Sequence, residues 1–347
     1  MGRSNGMPVS LVTGGAGFIG SHVAENLLNL GHKVIVLDDL SGGFSGNVPA
    51  KASFVEGSIV NQELVDALFE RYGFNYVFHL AAYAAEGLSH FIKRFNYMNN
   101  LIGSVNLINA SVKHEVKRFV FTSSIAVYGA GQTPMSENMI PCPEDSYGIA
   151  KLAVEQELRV SHEMFGLEYT IFRPHNVYGE RQNIGDRYRN VVGIFMNQLL
   201  RGEPMTIFGD GLQMRAFTHI SDIAPLIAES AKHPGGKNQI FNVGADQPCT
   251  VNQLAQAVAD AMGQQCRTIH LEPRNEVKIA FSDHSKADAV FGKRQKTTLR
   301  SGLKQMATWV NRHGARESSV FEEIEIAKNM PPSWANLVRP RVQPLAA

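Results

Sequence analysis

Cysteine is scarce in this chain. Only Cys142, Cys249 and Cys266 occur among 347 residues, and their spacing matches no metal-ligand pattern. They read as reduced thiols of a cytoplasmic protein, and no metal is expected. An excess of one charge is lacking too. Lys and Arg number 33 against 32 Asp and Glu, a formal charge of +1. That balance offers little to nucleic acid or to an anionic membrane, so neither is expected as a partner. No apolar run approaches the roughly 20 residues of a membrane-spanning helix. Met1 to Met7 is short and polar, without the apolar core of a signal segment. Repeats and low-complexity segments are absent. What remains is 44% hydrophobic and 19% charged, a globular composition with room for one large or two smaller cores.

The chemistry is read first in Ser146-Tyr147-Gly148-Ile149-Ala150-Lys151. Tyr147 and Lys151 stand four apart at the start of a helical pattern, so they share a face. A phenol ordinarily ionises near pH ~10, and a neighbouring ammonium lowers that value. The expectation is a proton acceptor poised near neutral pH.

Val9 to Thr13 is an apolar run entering Gly14-Gly15-Ala16-Gly17-Phe18-Ile19-Gly20, and a helix follows from Ser21 to Leu30. Glycines at a strand-to-helix turn let backbone approach a pyrophosphate at the helix N-terminus. Lys33 to Leu37 is the next strand and ends in Asp38-Asp39. An acid there accepts hydrogen bonds from a ribose diol and repels a 2'-phosphate, so NAD is expected rather than NADP.

The alternation continues. Helices are expected over Asn61 to Arg71, Ser89 to Lys113 and from Ser146 onward, with strands at Tyr76 to Leu80, Arg118 to Thr122 and Tyr169 to Arg173. This order predicts an α/β fold, a Rossmann-type doubly wound parallel sheet with a smaller α/β C-terminal domain. Residues 1–175 form the cofactor half, 176–330 the substrate half, and 214–245 return to the first. Ligands bind beyond the C-terminal strand ends of such sheets. Asp38, Ala81, Ser124 and Pro174 all follow strand ends, so they should gather. In the second half Arg187, Arg189, Arg215 and Arg274 could grip a diphosphate. The tail from Glu317, with Trp334 and its prolines, is expected to lie along the surface without chemistry.

Thr13 to Gly20, His79-Leu80-Ala81-Ala82, Thr122-Ser123-Ser124, Tyr147 with Lys151, and Arg173-Pro174-His175-Asn176-Val177-Tyr178-Gly179 occur together in the order of a known family. The chain resembles the extended short-chain dehydrogenases/reductases over about residues 7 to 312. The resemblance implies action on nucleotide-diphosphate sugars with NAD. It implies that Ser124 and Tyr147 contact the sugar hydroxyl and that Lys151 holds the nicotinamide ribose. It implies cofactor contacts from Gly14, Gly17, Phe18, Ile19, Gly20, Asp38, Asp39, Ser58, Ile59, Leu80, Ala81, Ala82, Asn100, Tyr147, Lys151 and Pro174. Sugar-nucleotide contacts are implied for Ala84, Ser124, Tyr147, Asn176, Asn190, Val191, Thr206, Phe208, Arg215, Arg274 and Phe281. Ser58 departs from the family, which often has Asp there.

The resemblance also narrows the reaction. Dehydratases of this family carry Asp-Glu after the hydroxyl residue, and decarboxylases keep a Glu at the second position. Here those positions are Ile125 and Ala126, which move no proton. Chemistry needing one hydride and one proton relay remains. A nucleotide-hexose 4-epimerase is expected, most similar to those acting on UDP-glucose and UDP-galactose. A UDP-glucuronate 4-epimerase and a nucleotide-sugar reductase or dehydrogenase are the alternatives. A bulky Phe281 is taken to argue against a 2-acetamido sugar. Pairing of two chains through Ser89–Lys113 and the Tyr147 helix makes a homodimer the expected assembly.

Overall fold

The computed structural model describes residues 6–131, 133–274, 276–317 and 321–335. The chain opens with β1 (Val9–Thr13), α1 (Phe18–Asn29), β2 (Lys33–Asp38), β3 (Ser53–Glu56), α2 (Gln62–Tyr72) and β4 (Tyr76–His79). Then come α3 (Glu86–Ser89), α4 (Lys93–Tyr97), a π-helical turn at Met98–Ile102, α5 (Gly103–Lys113), β5 (Arg118–Thr122), α6 (Ser146–Phe165) and β6 (Tyr169–Pro174). The second half holds β7 (Val177–Tyr178), α7 (Val191–Leu200), β8 (Met205–Phe208), β9 (Met214–Ala216), β10 (Thr218–His219), α8 (Ile220–Ser230) and β11 (Gln239–Val243). It ends in β12 (Pro248–Thr250), α9 (Val251–Met262), β13 (Thr268–Leu271), β14 (Ile279–Ala280), α10 (Ser285–Phe291), α11 (Leu299–His313) and α12 (Pro332–Ala335).

Seven strands form one parallel sheet in the order β11-β6-β5-β4-β1-β2-β3. Sheets of this kind are covered on both faces, and their strands read as apolar runs. All five residues of β5 are buried. On one face Leu11, Phe69, Phe119, Leu158 and Ile171 pack with α2, α5 and α6. On the other Val12, Val23, Phe78, Phe172 and Ile227 pack with α1 and α8. Strand order reverses at β1 and β4, where loops leave the sheet on opposite sides and open a crevice. A third core, built on α7, α9 and α11 with β8, carries the C-terminal half.

Helix ends follow local chemistry. Asn61 caps α2, accepting from Leu64 N at 3.0 Å, and Gly73 stops it at φ 56°. A reciprocal Thr250–Gln253 capping box starts α9.

Two expectations need correction and a third needs refining. β3 was not anticipated: it is a four-residue edge strand, Ser53–Glu56, with no fully buried position, so its hydrophobic signal is weak. Ser89–Lys113 is not one helix. Ser89 ends α3, and the continuous stretch begins at Lys93 and passes through the π turn. The tail does run along the surface over its described part, but it is anchored there by two buried side chains, Met330 and Trp334. Residues 321–335 form a strap in which Trp334 is only 4% exposed. Its ring packs edge-on against Tyr188, Phe208 and Phe91. Glu325 accepts from Arg94 N and Phe95 N at 2.8 and 2.9 Å and so caps α4. Residues 318–320 and 336–347 lie outside the described residues.

Candidate active site

The crevice is a cavity of about 460 Å³. One end is built by the turn after β1. Gly14 has φ +70°, and a Cβ there would stand 2.7 Å from Ala81 N. A Cβ on Gly20 would collide with the Gly14 carbonyl. These glycines therefore let β1, α1 and the β4 loop meet without side chains between them. Helix α1 begins at Phe18, so the N–H groups of its first turn point outward at a wall that also includes Ile19 and Gly20. Asp38, at the end of β2, accepts from Ala16 N at 3.0 Å and from Leu40 N at 2.9 Å. Burial raises its pKa, and those two backbone donors oppose the rise. Asp38, Asp39, Ile59, Leu80, Ala81, Ala82 and Pro174 line the same end. A backbone cradle that admits no Cβ, beside a carboxylate at the second strand end, fits a dinucleotide pyrophosphate and its ribose.

The middle of the cavity holds Ser124, Tyr147 and Lys151. Ser124 follows β5 and begins a short 3₁₀ turn, its hydroxyl accepting from Ala126 N at 3.1 Å. Tyr147 and Lys151 sit in the first turns of α6, which Asp145 caps by accepting from Gly148 N at 2.8 Å. Lys151 Nζ donates to the Thr122 carbonyl at 2.8 Å and lies 5.6 Å from the centre of the Tyr147 ring.

The expected depression of the Tyr147 pKa is overturned. Burial raises it, and the nearby Glu86 and Asp145 carboxylates add to the rise, while the Ser124 hydroxyl opposes it. Burial also pushes Lys151 down to about 7, with Glu155 pulling it back up. Desolvation is the largest cause of both shifts.

The far end takes residues from both halves. Ala84, Asn176, Asn190, Val191, Arg215 and Arg274 line it, as expected. Asn176 and Asn190 have φ 42° and 61°, conformations asparagine tolerates better than most residues. Arg215 donates to the carbonyls of Met214, Val277 and Lys278, which fixes the wall segment that carries Val277. Arg274 reaches Glu276 at 3.1 Å and lies over the rings of Phe208 at 4.5 Å and Trp334 at 5.9 Å. Arg189 lines the cavity, paired with Asp186, whereas Arg187 does not line it.

Five expected contacts do not line the cavity: Ser58, Asn100, Thr206, Phe208 and Phe281. Ser58 turns back to accept from Val60 N at 3.3 Å. Asn100 clamps Tyr83, accepting from its N–H at 2.8 Å and donating to its carbonyl at 3.1 Å, so it holds the wall rather than forming it. Thr206 exchanges hydrogen bonds with the Gln198 amide. Phe208 backs Arg274. In the extended segment 279–282 the buried residues are Ala280 and Ser282, and the lining residue is Ala280. Alternation turns Phe281 away, so the argument from its ring against a 2-acetamido group does not hold.

Sequence reasoning missed Glu86, Asp145, Tyr188 and Glu276 in the lining, and Trp334 behind Arg274. None sits in a motif with a chemical signature, and each comes from a different element. Among the described residues no group of three or more His, Cys, Asp or Glu could hold a metal, and no helix is long and apolar enough to cross a membrane.

The profile of a family described as the NAD dependent epimerase/dehydratase family matches residues 10–244. A putative UDP-glucose 4-epimerase of Methanocaldococcus jannaschii is 33% identical over 303 residues, covering 86% of this chain and 97% of its own. The crystal structure of UDP-glucose 4-epimerase with UDP-glucose from Thermotoga maritima is 37% identical, with TM-score 0.83, over 88% of this chain and 99% of that one. UDP-glucuronic acid 4-epimerase from Bacillus cereus, in complex with UDP-glucuronic acid and NAD, is 28% identical, with TM-score 0.80, over the same shares of the two chains.

Proposed function

The chain belongs to the NAD dependent epimerase/dehydratase family, and on that footing we propose that it epimerises a nucleotide-diphosphate hexose at C4, with UDP-glucose and UDP-galactose as the pair. The observation that carries the reading is one cavity with a glycine cradle at one end, Ser124, Tyr147 and Lys151 in the middle, and arginines at the other. When bound, NAD supplies a positively charged hydride acceptor that returns the hydride later. Tyr147 takes the proton of the sugar 4-hydroxyl and returns it to that same oxygen once the 4-keto sugar has turned over and taken the hydride back at C4 on its other face. Ser124 donates to the same oxygen. Lys151 would hold the nicotinamide ribose and favours the Tyr147 phenolate when charged. Arg274 and Arg215 would meet the diphosphate, with Asn176 beside them. Ile125 and Ala126 line the wall beside Ser124 and offer no acid or base there.

The division into a cofactor half and a sugar-nucleotide half agrees with the pairing of β11 against β6, which brings part of the second half into the main sheet. Met98, Ile102, Ile149, Val160 and Met164 are exposed on the π turn and α6, which supports pairing of two chains across these helices. A cytoplasmic location accords with three unpaired cysteines. The likeness to the Bacillus cereus enzyme keeps a nucleotide hexuronate as the second reading.

The test is direct. UDP-galactose given to the folded, NAD-containing protein yields UDP-glucose with no net consumption of added NAD. Stoichiometric NADH formation would identify a dehydrogenase instead, and no product would reject the reading. Light scattering is expected to show a dimer, and a clean monomer would reject that assembly.

A further inference from the structure

Glu86 opens α3 and faces the cavity opposite the start of α6. It belongs to no motif. Its backbone is tied to the reactive tyrosine: the Glu86 carbonyl accepts from Ser89 Oγ at 2.6 Å, and that oxygen accepts from Tyr147 N at 3.2 Å. The carboxyl itself accepts no hydrogen bond and makes no ion pair among the described residues. Glu86 is an exposed residue on the cavity lining, and the protein packed around that cavity raises its pKa to about 7. An exposed carboxyl on a cavity wall, with no protein partner, keeps its lone pairs available to a ligand that enters.

The groups that face it sharpen the point. From α6 and its cap come Tyr147 and the Asp145 carboxylate; from the far wall come Arg215, Arg274 and Glu276. Both arginines are already engaged, Arg215 with three carbonyls and Arg274 with Glu276. Arg189, the remaining arginine of the described lining, is paired with Asp186, so none of the lining arginines is free to neutralise a second carboxylate.

We propose that Glu86 determines sugar specificity: its unpartnered carboxyl accepts hydrogen bonds from hydroxyls of a neutral hexose and excludes hexuronates by like-charge repulsion. This rests on the reading of the site as a nucleotide-sugar 4-epimerase and decides between its two substrates. Hydroxyl donors satisfy the carboxyl, whereas a uronate brings a second negative charge into the same cavity. Specificity here comes from a repulsive element rather than from an added attraction.

The NAD-containing protein and its Glu86→Gln variant are assayed with UDP-galactose and with UDP-glucuronate. Calorimetric binding of both to each protein is measured in parallel, so that the inference is tested even if no epimer forms. Glutamine keeps the shape and removes the charge. The wild type is expected to favour the hexose, and the variant to lose about tenfold or more of that preference through better hexuronate binding. NAD content and melting temperature should stay the same. A wild type that favours hexuronate, or a preference unchanged in the variant, overturns the inference. Selective hexose binding without turnover in the wild type would leave Glu86 its role and reject the epimerase reading alone.

Discussion

Glu155 holds the Arg173 guanidinium through both carboxylate oxygens, at 2.9 and 2.5 Å, and accepts from the Ser123 hydroxyl at 2.5 Å. All three residues are buried. Glu155 lies four residues after Lys151 on α6, Ser123 precedes Ser124, and Arg173 is the last residue of β6 but one, just before the lining residue Pro174. One carboxylate thus sets the helix, the β5 loop and the β6 end relative to one another. Glu155→Gln should destabilise the protein by about 3–5 kcal/mol, because it leaves a buried cation without its partner. Urea denaturation measures this, and a loss below about 1 kcal/mol would contradict it. The paired change Glu155→Leu with Arg173→Met should recover most of the stability.

Tyr147→Phe removes only the phenol oxygen. Turnover should fall by about a hundredfold or more, as for loss of a general acid–base group, with co-purifying NAD retained. Steady-state assays and nucleotide content after denaturation are the readouts. Loss of NAD together with activity would indicate a structural defect instead.

These two cases separate what the sequence told from what it could not. Gly14, Gly20, Asp38, Ser124, Tyr147 and Lys151 were legible because each lies at a strand end or helix start that local pattern fixes. The pairing of Glu155 with Arg173 was silent, since a buried ion pair looks like two surface charges until the strands are placed. The Tyr147 pKa was misjudged for a related reason. Spacing shows that a lysine is near, but it does not show how much water both groups have lost. Phe281 failed on direction: one residue along an extended segment exchanges the faces. Ser58, Asn100 and Thr206 failed because nearby backbone or amide groups take up their side chains.

His79 is neutral in the fold. Ser104 Oγ donates to the Asn100 carbonyl, so the ring donates to Ser104 from Nε2 and accepts from Thr13 Oγ1 at Nδ1, each contact 2.8 Å. Burial holds its pKa well below 6.5, and the Lys151 charge lowers it further. The unfolded chain therefore binds the proton first as pH falls. Stability from this group is complete above pH ~6.5 and declines below it. Urea midpoints between pH 8 and pH 5 should drop more steeply in the wild type than in His79→Gln. Parallel curves would reject the assignment.

Trp334→Ala removes one of the two rings flanking Arg274 and the anchor of the strap. Affinity for UDP-glucose should fall by roughly threefold to thirtyfold, the range of about 0.5–2 kcal/mol for a cation–π contact. The strap from residue 321 should become sensitive to limited proteolysis, while NAD content stays constant. Calorimetry and proteolysis followed by mass spectrometry check both parts. Unchanged affinity in a variant whose strap is cleaved would show that the ring does not position Arg274.

The π turn at Met98–Ile102 has a consequence of a different kind. It holds one residue more than an α turn would, so the helix before it is out of phase with the helix after it by about 100°. Upstream, Asn96 aims at the Ser146 carbonyl. Downstream, Asn106 aims at the carbonyls of Ile59 and Val60. Deleting any single residue of 98–102 would let the segment relax into one straight helix, with its apolar character intact and its two halves aimed at the wrong walls. Point substitutions preserve the residue count and cannot detect this dependence. The positioning of the cavity walls is written partly as a number of residues, independent of what they are.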